Sequence, residues 1–182
     1  MANTHLVVPS EPSSARRAFT LVEITLVLLI IAAVAAIGIP SLVRSRVNAN
    51  ESAAIGNLRP LASALETYKA ATTAYPGSAT GWQAAMYGAS CAPGVPPDPD
   101  YGPAYFCVSL NESTVQGYAY TYTAGAASQA ATYTITAAPA AFGITGSRAF
   151  FVDETTIIRH CLGASGATAA SQPVGEPPAA CP

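Results

Sequence analysis

From Phe19 to Ile39 the chain runs for 21 residues with one charged side chain, Glu23. At about 1.5 Å rise per residue a helix of that length spans roughly 30 Å, the thickness of a bilayer's hydrocarbon core. Such a segment must sit in lipid or among other apolar helices. A carboxylate inside it is costly, about 2.5–3.5 kcal/mol at a helix centre on insertion scales. Glu23 therefore calls for a partner.

The residues leading into this span are Arg16-Arg17-Ala18-Phe19-Thr20-Leu21-Val22-Glu23. The arrangement resembles the N-terminus of the type IV pilins and type II secretion pseudopilins. That resemblance implies a short basic leader cut by a prepilin peptidase between Ala18 and Phe19, and methylation of the new Phe19 amine. Glu23 then matches the family's glutamate at the fifth mature position. Ala18 stands where the family usually has glycine. The implied use of Glu23 is physically sensible. Helices inside lipid gain nothing from apolar burial against each other, so polar contacts and close packing must align them. A carboxylate near one helix end can pair with the cationic amine of a neighbour's Phe19 and so set the register of assembly.

A secretory signal peptide is the main rival, with Arg16-Arg17 as its basic region and Ala33-Val34-Ala35 as a cleavage site. Signal apolar regions run about 7–15 residues, shorter than this span. Arg-Arg-Ala-Phe also resembles a twin-arginine signal, but no cofactor motif downstream explains that route. Arginines flank the span on both sides (Arg16 and Arg17, Arg44 and Arg46), so the positive-inside bias does not orient it. The cysteines do. Cys91, Cys107, Cys161 and Cys181 all follow the span, and in an exported chain they read as disulfides in an oxidising compartment.

Charged residues make up 10 % of the chain, and the formal net charge is −2. Loss of residues 1–18 removes Glu11, Arg16 and Arg17, which takes the charge to −3. That is no footprint for nucleic acid. A weakly charged surface rich in Ala, Gly, Ser, Thr and Pro suits an extracellular protein that packs against copies of itself.

The pattern along the chain divides it into a leader (1–18), a membrane or filament-core helix (19–40), an amphipathic helix (41–75) and a head (76–182). Gly38 and Pro40 mark an expected break or kink, because proline removes a backbone donor and crowds the preceding turn. Beyond it, Val47, Ala54, Leu58, Leu61, Leu65 and Tyr68 form one apolar stripe, with Arg44, Asn48, Glu51, Asn57, Arg59 and Lys69 filling much of the rest. Pro60 predicts a second bend, and Tyr75-Pro76-Gly77 ends the helix. Trp82, Ala85 and Met86 suggest a short helical turn. The Pro- and Gly-rich run after Cys91 predicts an irregular connection.

Four short strands are expected next. Residues 117–124 place Tyr118, Tyr120 and Tyr122 on one face at period two. Residues 131–137 alternate again, and 147–152 and 155–159 flank an Asp153-Glu154 turn. The fold class is α+β: a long kinked N-terminal helix whose second half covers one face of a small antiparallel sheet. The pilin resemblance implies the same head. Four cysteines allow three connectivities. Pairing 91 with 107 and 161 with 181 is favoured, since each pair flanks one loop. A disulfide-bounded C-terminal loop also fits the resemblance.

The pattern predicts neither enzymatic chemistry nor a cofactor. His160 beside Cys161 invites a Cys–His nucleophile, but a bridging cysteine next to a strand-end histidine is the simpler reading. Asp98, Asp100, Asp153 and Glu154 offer oxygens without EF-hand spacing, and turn chemistry accounts for them. Nine tyrosines are ordinary strand composition rather than evidence of stacked ligands or electron transfer. Asn50 and Asn111 each open a weak glycosylation triplet.

The resemblance thus implies a filament subunit. It would wait in the bacterial inner membrane, be processed by the prepilin peptidase and join a homopolymer through the assembly machinery. A surface pilus is the first expectation, with a type II secretion pseudopilin or a minor adhesive or DNA-uptake pilin as alternatives.

Overall fold

The architecture is that of a computed structural model, which describes residues 19–77, 81–88, 101–103, 106–107, 114–125 and 130–182. The expected leader, Cys91, Asp98, Asp100 and Asn111 lie outside the described residues. The chain forms two compact units, Met1–Pro40 and Ser41–Pro182. A 52-residue helix, α1 (Leu21–Thr72), contributes to both.

In the first unit, α1 carries apolar side chains on every face. Helical structure continues through Gly38 and Pro40, and later through Pro60. Proline's fixed φ suits a helix and its cost is local, one missing donor and a crowded turn. The prolines therefore do not end the helix.

In the second unit, α1 becomes one-sided. Ala54, Leu58, Leu61, Ala62, Ala64 and Leu65 are buried, whereas Ser63 and Thr67 face solvent. Fully burying a leucine stabilises by about 1.5–3 kcal/mol, so Leu58, Leu61 and Leu65 fix which face docks. The helix ends at Thr72, three residues before the expected stop. Thr73 takes a positive φ of 71° while its N–H still reaches Lys69 O at 2.7 Å, which turns the chain out of the helical path. A one-and-a-half-turn helix, α2 (Trp82–Tyr87), buries Trp82, Met86 and Tyr87.

The sheet is antiparallel, with order β1-β2-β3-β4-β5: β1 (Tyr118–Ala124), β2 (Tyr133–Pro139), β3 (Arg148–Asp153), β4 (Arg159–Leu162) and β5 (Gln172–Pro173). Alternation along β1 and β2 turns Tyr118, Tyr120, Tyr122, Tyr133, Ile135 and Ala137 toward the core that α1 covers. Aromatic contacts bind this core: Trp82 stacks on Tyr122 at 5.2 Å and Tyr75 meets Tyr133 edge-on at 4.7 Å.

Two features depart from the sequence reading. The expected strand over 155–159 is displaced to Arg159–Leu162. Asp153 Oδ1 accepts from the N–H and hydroxyl of Thr155, Thr156 N donates to Asp153 O, and Thr156 has φ of 59°. These bonds spend residues 153–156 on a turn, so pairing resumes later. The sheet also has a fifth strand. Gln172–Pro173 pairs with β4, because the tail folds back over the sheet rather than trailing from it. Phe151, Ala149, Cys161 and Ala167 form a second small core beneath that tail. β3 is consequently buried on both faces: Phe150 and Val152 enter the main core and Phe151 the second.

Candidate functional site

The first turn of α1 is built by Thr20. Its hydroxyl accepts the Glu23 N–H at 3.2 Å, and its carbonyl accepts the N–H groups of Glu23 and Ile24 at 3.1 and 3.3 Å. Thr20 is thus an N-cap and Glu23 the third helical residue, the T-x-x-E spacing of a capping box. A carboxylate there also favours the positive end of the helix dipole, by about 0.3–1 kcal/mol. This local role escaped the sequence reading, although Thr20 and Glu23 carried the signal. It does not exhaust Glu23, which lies exposed at the surface. Among the described residues nothing donates to its carboxylate.

Around it the helix is bare. Phe19, Leu21, Val22, Leu29 and Ile37 are each at least two-thirds exposed, and large apolar side chains stay exposed as far as Val43. The helix α1 is long and apolar enough to cross a membrane, and none of its most apolar stretch is buried. Gly38 has open space where a side chain would stand. The arrangement sets one carboxylate among exposed apolar side chains. It is an apolar rod with one carboxylate near its capped end, which suits helix-on-helix packing or a bilayer.

The head contains a second carboxylate from the same helix, in the opposite circumstance. Glu51 is 3 % exposed. Its carboxylate accepts from Ser147 N at 2.9 Å, Ser147 Oγ at 2.7 Å, Arg148 Nε at 2.8 Å and Arg148 Nη2 at 2.7 Å. Burial by itself would raise the Glu51 carboxyl. The Ser147 hydrogen bonds and the Arg148 guanidinium outweigh burial and hold it below the usual carboxylate range. Arg148 Nη1 lies 3.2 Å from His160 Nδ1, and His160 Nε2 lies 3.0 Å from Glu176 O. A guanidinium can only donate, so Nδ1 accepts and the neutral ring's proton sits on Nε2, facing the Glu176 carbonyl; this tautomer is assigned from the partners. The network ties α1, β3, β4 and the tail together. It gives His160 a structural place, with its neighbour Cys161 bonded to Cys181.

Cys107 is also disulfide-bonded, while Cys91 lies outside the described residues. Among the described residues no cluster of His, Cys, Asp or Glu could hold a metal ion. Asp153 is engaged in its own turn. Asn57, placed on the polar side of the sequence stripe, is buried instead: its amide donates to Gln116 Oε1 at 2.9 Å and Tyr120 Oη at 3.2 Å.

No family model and no solved structure matches the chain. Among curated proteins it is similar to the type II secretion system core protein G of Klebsiella michiganensis, 33 % identical over 88 residues, which are 48 % of this chain and 59 % of that protein. The match spans less than two thirds of that relative's length. With its long apolar N-terminal helix and its antiparallel head, the chain has a pilin-like α+β fold and is similar to a pseudopilin of the type II secretion machinery.

Proposed function

We propose that the chain is a structural subunit of a pilin-type filament that polymerises through the N-terminal half of α1. The observation that carries this reading is the exposed apolar segment from Phe19 onward with Glu23, unpaired among the described residues, at its capped end. In the membrane, lipid covers the apolar side chains. In a polymer, the same segments of neighbouring copies cover one another. Cleavage between Ala18 and Phe19 would create a cationic amine, and methylation would keep it cationic. Glu23 of one copy then pairs with that amine of the next and fixes the axial step. The local loosening expected at Gly38 and Pro40 would let α1 extend as the subunit leaves the membrane.

Two filament classes share this mechanism. A type IV pilus would carry the head at the cell surface. A pseudopilus would stay short and serve secretion, and the similarity to core protein G favours that second form. In either case the head lies outside the inner membrane, in agreement with its disulfide chemistry.

N-terminal sequencing of the mature protein should begin at methylated Phe19. A start at Ala36, or at Met1 in an assembled filament, would contradict the processing. Glu23→Ala should leave the subunit folded and membrane-inserted while abolishing polymer; normal polymer from this variant would refute the register role. Recovery of the chain as the main component of sheared surface fibres would select the pilus. Loss of protein export without loss of fibres on deletion would select the pseudopilus.

A further inference from the structure

The charges of the second unit are few, and they are sorted along α1. Over residues 41–72 the helix carries Arg44, Arg46, Glu51, Arg59, Glu66 and Lys69. Glu51 is taken by Arg148. Arg44 and Arg46 are exposed, and neither has an anionic partner among the described residues. The far end of the same segment has the opposite sign. Tyr75 Oη donates to Glu66 Oε1 at 2.5 Å, and Lys69 Nζ donates to Tyr75 Oη at 3.2 Å. Burial raises the phenols of Tyr75 and Tyr133 above the ordinary tyrosine value, and the carboxylates of Glu66 and Glu154 raise both further, which places the two carboxylates about one spot. Asp153 adds to the rise at Tyr133. Three carboxylates thus gather round the ammonium of Lys69, and Glu154 among them is exposed. The hydroxyl of Tyr133, a residue 1 % exposed, lies in the same field without a hydrogen-bond partner among the described residues. This rim has acceptors to spare, and a guanidinium can only donate.

We infer that Arg44 and Arg46 of one copy dock on the acidic rim formed by Glu66 and Glu154 of a second copy of this chain. The inference rests on the filament reading and names a contact within it. Charge complementarity selects the occupant. Arg44 and Arg46 stand 22 and 20 positions before Glu66 on one continuous helix, about 30–33 Å along its axis, so the two patches cannot meet within a copy. Each copy holds both patches, so the contact runs head to tail and repeats without closing. Exposed ion pairs add little affinity. They penalise like-charge neighbours and wrong orientations, so their part is to choose how one copy sits on the next.

The test uses the full-length chain in cells that assemble it, with polymer yield as the readout. R44E/R46E and E154R should each keep the thermal midpoint of the unaltered protein and lose at least fivefold in yield. The three substitutions together exchange the signs of the two patches and should recover at least half of the unaltered yield. Unchanged yields, or a combined loss as large as the two losses multiplied, would overturn the inference and leave the filament reading intact. A loss in R44E/R46E without one in E154R would also overturn it, and would assign the arginines to acidic lipid headgroups. A second measurement keeps the charges and maps proximity. R44K/R46K polymer built from isotopically light and heavy subunits is treated with a carbodiimide. The expected product is an amide joining position 44 or 46 of one copy to Glu66 or Glu154 of another; its absence would overturn the contact. If the unaltered chain makes no polymer, the filament reading itself fails and this contact falls with it.

Discussion

Replacing Glu51 by glutamine separates charge from shape at the joint between α1 and β3. The side chain keeps its length and one acceptor oxygen, so the bonds from Ser147 can survive. The ion pair at 2.7 Å is lost, and an amide N–H2 now faces the Arg148 guanidinium, donor against donor. Breaking a buried pair from one side costs about 3–5 kcal/mol. The Arg148 side chain is 27 % exposed, against 4 % for Glu51, so water can recover part of its solvation. The cost should therefore fall near 2–3 kcal/mol, the worth of hydrogen bonds to a charged group left unmade. For a protein of this size that is a drop of roughly 5–10 °C in midpoint. The pH dependence has a definite sign. The Glu51 carboxyl is held below its ordinary value in the folded protein, so its contribution is present above the unfolded pKa of about 4.3 and is lost as pH falls through the folded value. The stability gap between the two proteins should be full at pH 7 and close as the pH falls below about 4. Trp82, buried and stacked on Tyr122, reports unfolding of the head by fluorescence in a urea titration of the detergent-solubilised chain. A gap under about 0.5 kcal/mol at pH 7, the scale of a surface substitution, would refute the reasoning. So would a gap unchanged between pH 7 and pH 3.

Other substitutions probe separate joints. Cys181→Ser opens a loop of separation 20, which should cost about 3 kcal/mol on loop-entropy arithmetic and release the tail from β4; proteolysis within 163–182 would report the release. Gly146→Ala places a methyl group against the Tyr118 hydroxyl, and should lower stability by about 1–3 kcal/mol in the same urea titration. Tyr118→Phe in that background makes room at the expense of the hydroxyl's bond to Arg148 O, so partial rescue identifies the clash as the cause. Leu61→Ala, at a fully buried position of α1, should cost about 2–5 kcal/mol in the head. Its effect on membrane insertion of residues 19–39 should be nil, measured by carbonate extraction.

Sequence periodicity located the parts of this fold that are dictated by a single apolar face. The stripe through Ala54, Leu58, Leu61 and Leu65 is the face that α1 buries, and the tyrosines of β1 alternate as their spacing requires. It failed where a local hydrogen bond or a distant segment decides. Nothing in Thr155-Thr156-Ile157-Ile158 warns against a strand; the Asp153 carboxylate makes the turn that prevents one. Phe150-Phe151-Val152 does not say that both faces of β3 are covered, because the cover on one side is a Gly- and Pro-rich tail with little apolar content of its own. Glu51 and Asn57 read as solvent-facing since charge and amide normally are. Their burial depends on Ser147, Arg148, Gln116 and Tyr120, at least 59 residues away in the chain. The exposed apolar segment of α1 was legible by contrast, because it lies within a single continuous run, from Phe19 to Ile39.

Glu23 and Glu51 sit on one helix and show what the subunit can and cannot complete alone. A carboxylate removed from water needs several donors in fixed places. Glu51 finds them on Ser147 and on Arg148 at the start of β3, through three hydrogen bonds and an ion pair, because the head folds back on α1 at that level. Glu23 has no such set of donors among the described residues. Its backbone is capped by Thr20 and its side chain is left without a donor. The surrounding apolar side chains from Phe19 to Val43 make the same point in the other currency of folding, since they too lack cover among the described residues. Both deficits fall on the same stretch. A partner that supplied apolar area alone would leave Glu23 a buried, unpaired charge, and a partner that supplied a cation alone would leave the rod exposed. A second copy processed at Phe19 brings an apolar helix of equal length and a cationic amine at its start. On that reading one interaction removes both deficits at once and passes an identical pair on to the next subunit.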